Sequence, residues 1–122
     1  MNPTLTRLRV AAVQMKFAAD MDTNFAHIEA ALAGAVRDRA DVVLFPECAT
    51  TGYNRDFTNL SAREIQAALE RVGALAAKFK VNVLLGSPVF RRKCWQNCLV
   101  VFDRQGRVVH CYAKCQLTDA LP

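Results

Sequence analysis

Three kinds of side chain in this sequence could do chemistry: a glutamate and a lysine at the ends of apolar runs, and five cysteines. Glu47 follows Val42-Val43-Leu44-Phe45 and Pro46. Such a compact run predicts a fully buried parallel strand, and the proline stops it. Open α/β sheets carry their sites at strand C-terminal ends, so a carboxylate held there, partly out of water, suits a general base. Taken alone, it is more ordinarily a strand-end glutamate reaching solvent or capping a neighbour. Lys114, after the run His110-Cys111-Tyr112-Ala113, has the same two readings: a solvated surface lysine, or a cation placed to meet developing negative charge.

The cysteines offer less. Cys48 adjoins Glu47 and Cys115 adjoins Lys114, but neighbours in an extended segment point to opposite sides, so neither pair is expected to work together. Cys94 and Cys98, and likewise Cys111 and Cys115, invite a zinc reading. Residues four apart on a strand are about 13 Å apart, so geometry argues against it, and no metal is expected. Neither His27 nor His110 has a second histidine at ligand spacing. An odd number of cysteines spread over strand-like segments fits free thiols in a reducing compartment, without structural disulfides.

The elements that must position Glu47 and Lys114 are legible from periodicity. Residues 8–14 form a short apolar strand, followed by a helix with Phe25, Ile28, Leu32 and Val36 on one face, capped by Asp22 or Thr23 and ending near Arg39. After the Glu47 strand and a polar loop over residues 50–60, Ser61 and Glu64 have capping-box spacing. Ile65, Leu69, Val72, Ala76 and Phe79 then line one face of a second helix. Strands follow over residues 81–89, with Gly86 and Pro88 marking a fraying end, and over residues 95–102. A turn at residues 103–106 leads into a hairpin arm over residues 107–112. The order is β-α-β-α-β-β-β, a layered α/β arrangement without linker or repeat.

Composition narrows the function classes. With 122 residues, 52% of them hydrophobic, and only 5 Gly and 4 Pro, the chain has the make-up of one globular domain. The 16 Lys and Arg against 11 Asp and Glu give +5, but the basic residues are scattered apart from Arg91-Arg92-Lys93, expected as a solvated loop. No nucleic-acid partner is expected. The start lacks the apolar core of a secretory signal, and no apolar run approaches the ~20 residues that cross a bilayer. A cytoplasmic protein without a membrane partner is expected.

Several blocks taken together resemble the nitrilase, or carbon-nitrogen hydrolase, superfamily. Phe45-Pro46-Glu47 with Thr51-Gly52-Tyr53 is similar to its first signature, and Tyr112-Ala113-Lys114-Cys115-Gln116-Leu117 to its second. Residues 9–14 resemble its opening strand, and Asn24 and Ile28 stand where its first helix begins. Ala40-Asp41 precedes the second strand, Leu84-Leu85-Gly86-Ser87 resembles the third, and residues 97–103 resemble its asparagine-containing strand.

The resemblance implies an α-β-β-α sandwich, of which this chain is the N-terminal portion, and hydrolysis of a non-peptide C–N bond in an amide, a carbamoyl compound or a nitrile. Glu47 would be the general base, and Lys114 would stabilise the tetrahedral intermediate. No cofactor is implied. The family's nucleophilic cysteine, downstream of the lysine segment, has no counterpart in these residues, and neither does its second glutamate. The resemblance therefore implies that residues 1–122 are an incomplete hydrolase domain, inactive alone, that self-associates or pairs with a completing C-terminal half. The alternative is a non-catalytic remnant whose exposed sheet edge and apolar face bind a partner.

Overall fold

A computed structural model describes residues 7–53 and 56–116. Residues 1–6 at the start, residues 54–55 of the polar loop, Leu117 of the lysine segment and the tail at 118–122 lie outside the described residues.

The elements follow the expected order: β1 (Val10–Ala12), α1 (Met21–Arg37), β2 (Val42–Leu44), α2 (Ala62–Phe79), β3 (Asn82–Arg91), β4 (Cys94–Phe102) and β5 (Val108–Ala113). A short 3-10 turn over Phe57–Asn59 is an addition. The five strands form one sheet in sequence order, with β1, β2 and β3 parallel and β4 and β5 antiparallel to their neighbours. Both helices lie on one face of the sheet, as the right-handed rule for parallel crossovers requires of two that advance in the same direction.

Beneath the helices lies a single core. Ile28, Leu32, Val72 and Ala76 from the helices meet Val43, Val83, Leu85, Val100 and Phe102 from the strands, all at most 2% exposed. The helix faces expected from periodicity are the buried ones, with Val36 and Phe79 only half-buried at their edges. On β4 the alternation is plain: Cys98, Val100 and Phe102 are buried, while Asn97, Leu99 and Val101 between them are half-buried on the other face. No helix among the described residues is long and apolar enough to cross a membrane.

Five local expectations are corrected. The β2 run is not fully buried: Val43 faces the core under the helices, while Leu44 is 37% exposed on the other face, because strand alternation sends it to the side that the helices do not cover. Asp20, not Asp22 or Thr23, caps α1, its Oδ1 accepting from Thr23 N at 2.7 Å. Two positions upstream of Asp22 an extended backbone (φ −109°, ψ 149°) lets the carboxylate turn back onto the amide of the third helical residue. The helix stops at Arg37, because Arg39 adopts φ 60°. Next, β3 does not fray at Gly86 and Pro88. It runs on to Arg91, with Gly86 opposite Leu99 and Pro88 opposite Asn97, since the β4 hairpin supplies a partner along its whole length. Finally, Arg91 belongs to that strand, and Arg92 and Lys93, at φ 51° and 63°, form the tight turn of the hairpin. The Ser61 cap is as expected, its hydroxyl accepting from Glu64 N at 3.3 Å.

Candidate active site

Glu47 owes its position to a bulge in the chain after β2. Phe45 N donates to Leu84 O and Ala49 N to Gly86 O, both at 2.8 Å, so residues 46–48 loop out between two strand-like bonds to β3. They loop over Gly86. A Cβ there would come within 2.6 Å of Glu47 Cα and 2.9 Å of Cys48 N. Only the absence of a side chain lets this backbone pass. Cys48 takes φ 53°, which turns the chain after Glu47.

Polar bonds fix the loop beyond it. Thr50 Oγ1 bonds Ser87 Oγ at 2.8 Å in a buried site, and Gly52 N donates to Cys48 O at 2.8 Å. Asn24, fully buried, reaches across from α1, accepting from Ala18 N at 2.7 Å and donating to Ala18 O at 3.1 Å and Thr50 O at 3.3 Å. Buried polar groups satisfied in this way hold a single geometry.

Lys114 follows the last residue of β5, and Asn97 lies near the start of antiparallel β4, so the topology brings both to the end of the sheet where β2 terminates. Lys114 N donates to Asn97 O at 2.8 Å. At this end, on the face away from the helices, Lys114 Nζ meets Glu47 Oε1 at 2.9 Å, and Asn97 Nδ2 donates to the same oxygen. The Lys114 and Glu47 side chains are 34% and 37% exposed, open enough to meet a small molecule yet held by protein donors. The hydrogen bond to Glu47 raises the Lys114 pKa above its ordinary value, so it carries its charge throughout the neutral range.

The structure thus brings together the two residues singled out from the sequence, and adds Asn97. The sequence marked Asn97 only as part of a strand. Its signal was a polar amide, one of the pair Gln96-Asn97 that interrupts the run, at the alternation phase that faces away from the core.

Cys48 departs from the expectation in its reason. The segment is not extended, and its thiol does share Asn97 with Glu47, Sγ lying 3.8 Å from Oδ1. Burial, with the Glu47 charge, pushes its pKa up to about 11, which disfavours the thiolate. Cys98 is likewise raised, to about 12, by burial and by Cys111 beside it. Cys115 turns to Tyr112 OH at 3.5 Å and to Ala113 O at 3.7 Å. All five thiols are free. His27 contacts Lys16 O at 3.2 Å through Nδ1, and His110 is exposed on β5. A separate cavity of about 440 Å³ between the starts of α1 and α2, lined by Asp20, Phe25, Glu64 and Arg71 among others, contains none of the Glu47, Asn97 or Lys114 groups.

Comparison with known proteins shows what the chain as a whole is similar to. An amidase from Nesterenkonia sp. is similar over 91% of this chain and 44% of its own, at a TM-score of 0.82 and 24% identity. A mutant of the amidase from Nesterenkonia sp. AN1 in complex with butyramide matches at a TM-score of 0.84 and 25% identity, over 91% of this chain and 44% of its own. A carbon-nitrogen hydrolase from Helicobacter pylori G27 matches at 0.83 and 22%, over 92% and 41%. The chain therefore spans less than half the length of these solved structures, and it matches their N-terminal part. No curated protein matches it in sequence. The family model for carbon-nitrogen hydrolases matches residues 9–122, nearly the whole sequence, and the chain belongs to the carbon-nitrogen hydrolase family.

Proposed function

We propose that this chain supplies the base and the cation of a carbon-nitrogen hydrolase acting on small amides, with carbamoyl compounds and nitriles as the neighbouring substrate classes. The observation that carries the reading is the pairing of Glu47 with Lys114 at 2.9 Å, on a rigidly tied loop at the strand ends. Glu47 takes the proton of a thiol, the thiolate attacks the carbonyl carbon, and the Lys114 ammonium stabilises the oxyanion. Protonated Glu47 gives that proton to the nitrogen as the C–N bond breaks, so ammonia leaves; water then gives a proton to Glu47 and attacks the thioester, and the C–S bond breaks to release the carboxylic acid and return the thiol.

The nucleophile comes from outside residues 1–122, which form the N-terminal part of the sandwich, either on a continuation of the chain or on a completing partner. Support for this lies in the chain's 44% coverage of the amidase it matches and in the burial of Cys48, the thiol nearest the pair. The choice of amides is favoured by that amidase, one structure of which shows covalent addition of the acetamide moiety of fluoroacetamide at its active site cysteine. Five free thiols agree with a reducing, cytoplasmic setting.

The test is ammonia release from butyramide by the intact gene product isolated from its source, whose mass is compared with the 13.5 kDa of this sequence. Glu47→Gln and Lys114→Ala are each expected to slow release by at least about 10²-fold. Unchanged release in either variant sinks the assignment.

A second reading, a non-catalytic subunit that binds a partner or itself, is favoured by the sheet face away from the helices, where Val10 and Tyr112 are 52% and 53% exposed. A source protein of 13.5 kDa that releases no ammonia and co-purifies with a partner supports it. A larger, active gene product removes it.

A further inference from the structure

Asn97 touches every part of the site. Its Nδ2 donates to Glu47 Oε1, its Oδ1 accepts from Cys48 Sγ at 3.8 Å, and its backbone carbonyl accepts from Lys114 N at 2.8 Å. Chemistry fixes the direction of the amide. An ionised carboxylate only accepts, so the NH2 end must face Glu47 and the oxygen must face the thiol.

The two donors to Glu47 converge on one atom: Asn97 Nδ2 and Lys114 Nζ both go to Oε1. This makes the two carboxylate oxygens unequal. A proton arriving on Oε2 turns Oε1 into a carbonyl oxygen, which still accepts both hydrogen bonds. A proton arriving on Oε1 would set a hydroxyl against two donors and break at least one bond. We propose that Asn97 is the positioning residue of this site, holding Oε1 together with Lys114 so that Oε2 is the atom that receives the proton. The inference rests on the reading of Glu47 as the base. In the step, the S–H bond of the thiol breaks, its electron pair stays on sulfur, and an O–H bond forms at Oε2, with no hydrogen bond at Oε1 lost. Being neutral, the amide holds the carboxylate without adding a charge that would compete with Lys114. It is itself fixed by its place in β4 opposite Pro88 and by the bond from Lys114 N.

The test follows the Lys114 ammonium by NMR titration in the natural chain and in Glu47→Gln, Asn97→Leu and Asn97→Gln. In the natural chain it titrates above the ordinary 10.5, because Glu47 accepts from it. Glu47→Gln is expected to return it toward 10.5. Asn97→Leu, of similar volume, is expected to reproduce most of that fall, because the freed carboxylate swings off the lysine. Asn97→Gln keeps an amide donor and is expected to retain most of the raised value. A role in packing alone would be met by leucine, so a Lys114 titration unmoved in Asn97→Leu but lowered in Glu47→Gln overturns the proposal and leaves the functional reading standing. No change in Glu47→Gln removes the pair itself, and with it both. Should Asn97→Leu fail to fold, Asn97→Ser, too short to reach Glu47, takes its place: a lowered Lys114 titration supports the proposal and an unmoved one overturns it. In the ammonia assay of the intact gene product, the leucine variant is expected to lose kcat at least tenfold with KM little changed, and the glutamine variant to recover part of it.

Discussion

The two faces of the sheet are built from the same strands to opposite ends. Under the helices, Val43, Val83, Leu85, Val100 and Phe102 are at most 2% exposed. On the other face, Val10 is 52% and Leu44 37% exposed, and here Asn97, Glu47 and Lys114 meet. The alternation of a strand places a core residue and a site residue side by side, Cys98 next to Asn97, so the packed face fixes the strand that aims the polar one. Stability is concentrated on one side and chemistry on the other. The difference teaches that the packed core and the Glu47, Asn97 and Lys114 cluster are separable here, and substitutions can break one without the other.

The largest expected effect belongs to the core face. Phe102→Ala should cost about 3–5 kcal/mol in a denaturant melt, since the ring is 1% exposed and its removal leaves a cavity. Leu99→Ala, three positions earlier and half-buried on the other face, should cost less than half as much. Equal costs would mean the two faces are not distinct in this chain.

Gly86→Ala tests a place where the faces are coupled. The added Cβ meets backbone rather than a yielding side chain, so the cost is about 1–3 kcal/mol, with the bulge displaced. Lys114 should then lose Glu47 and titrate closer to 10.5. The pairing raises the Lys114 pKa in the folded state, so its contribution is complete below 10.5 and is lost as pH rises through the raised value. A variant destabilised with Lys114 unmoved would break the link between Gly86 and the site.

Ser61→Ala, at the start of α2, should cost about 1 kcal/mol through the lost bond to Glu64 N, leaving Lys114 unmoved. It is the control in which stability falls and the site does not.

How much of this was legible in the sequence follows from the range of each cause. The amphipathic helices, the Ser61 cap and the existence of β2 announce themselves within a few residues, and so does the placement of Glu47 and Lys114 after strands, whereas the burial of β2 on both faces does not hold. Asp20 was missed because a cap depends on one backbone angle, which neighbouring Asp22 and Thr23 disguise. Gly86 read as a strand breaker because its purpose, room for a loop from residues 46–48, lies some forty positions away. Asn97 was legible as a polar exception but not as a partner of Glu47, 50 residues distant, because register is a property of the sheet and not of either strand alone. For Cys48 the expected alternation does not apply: the chain turns there, and the thiol is buried, with its pKa pushed up to about 11.

The smallest effect on stability is expected on the open face. Val10→Thr and Tyr112→Thr replace apolar groups more than half exposed by a β-branched residue that suits a strand, so each should change the unfolding free energy by no more than about 0.5 kcal/mol. Their effect on association should be larger than their effect on folding. Val10 and Tyr112 flank a face where Leu44 is also 37% exposed, and such a surface joins a second apolar surface when one is present. In sedimentation of the 122-residue chain, the double variant should therefore shift toward monomer at concentrations where the natural chain associates. A natural chain that is already monomeric, with a sharp cooperative melt, would mean that this face is content in water, and the contrast between the two faces would then be one of chemistry alone.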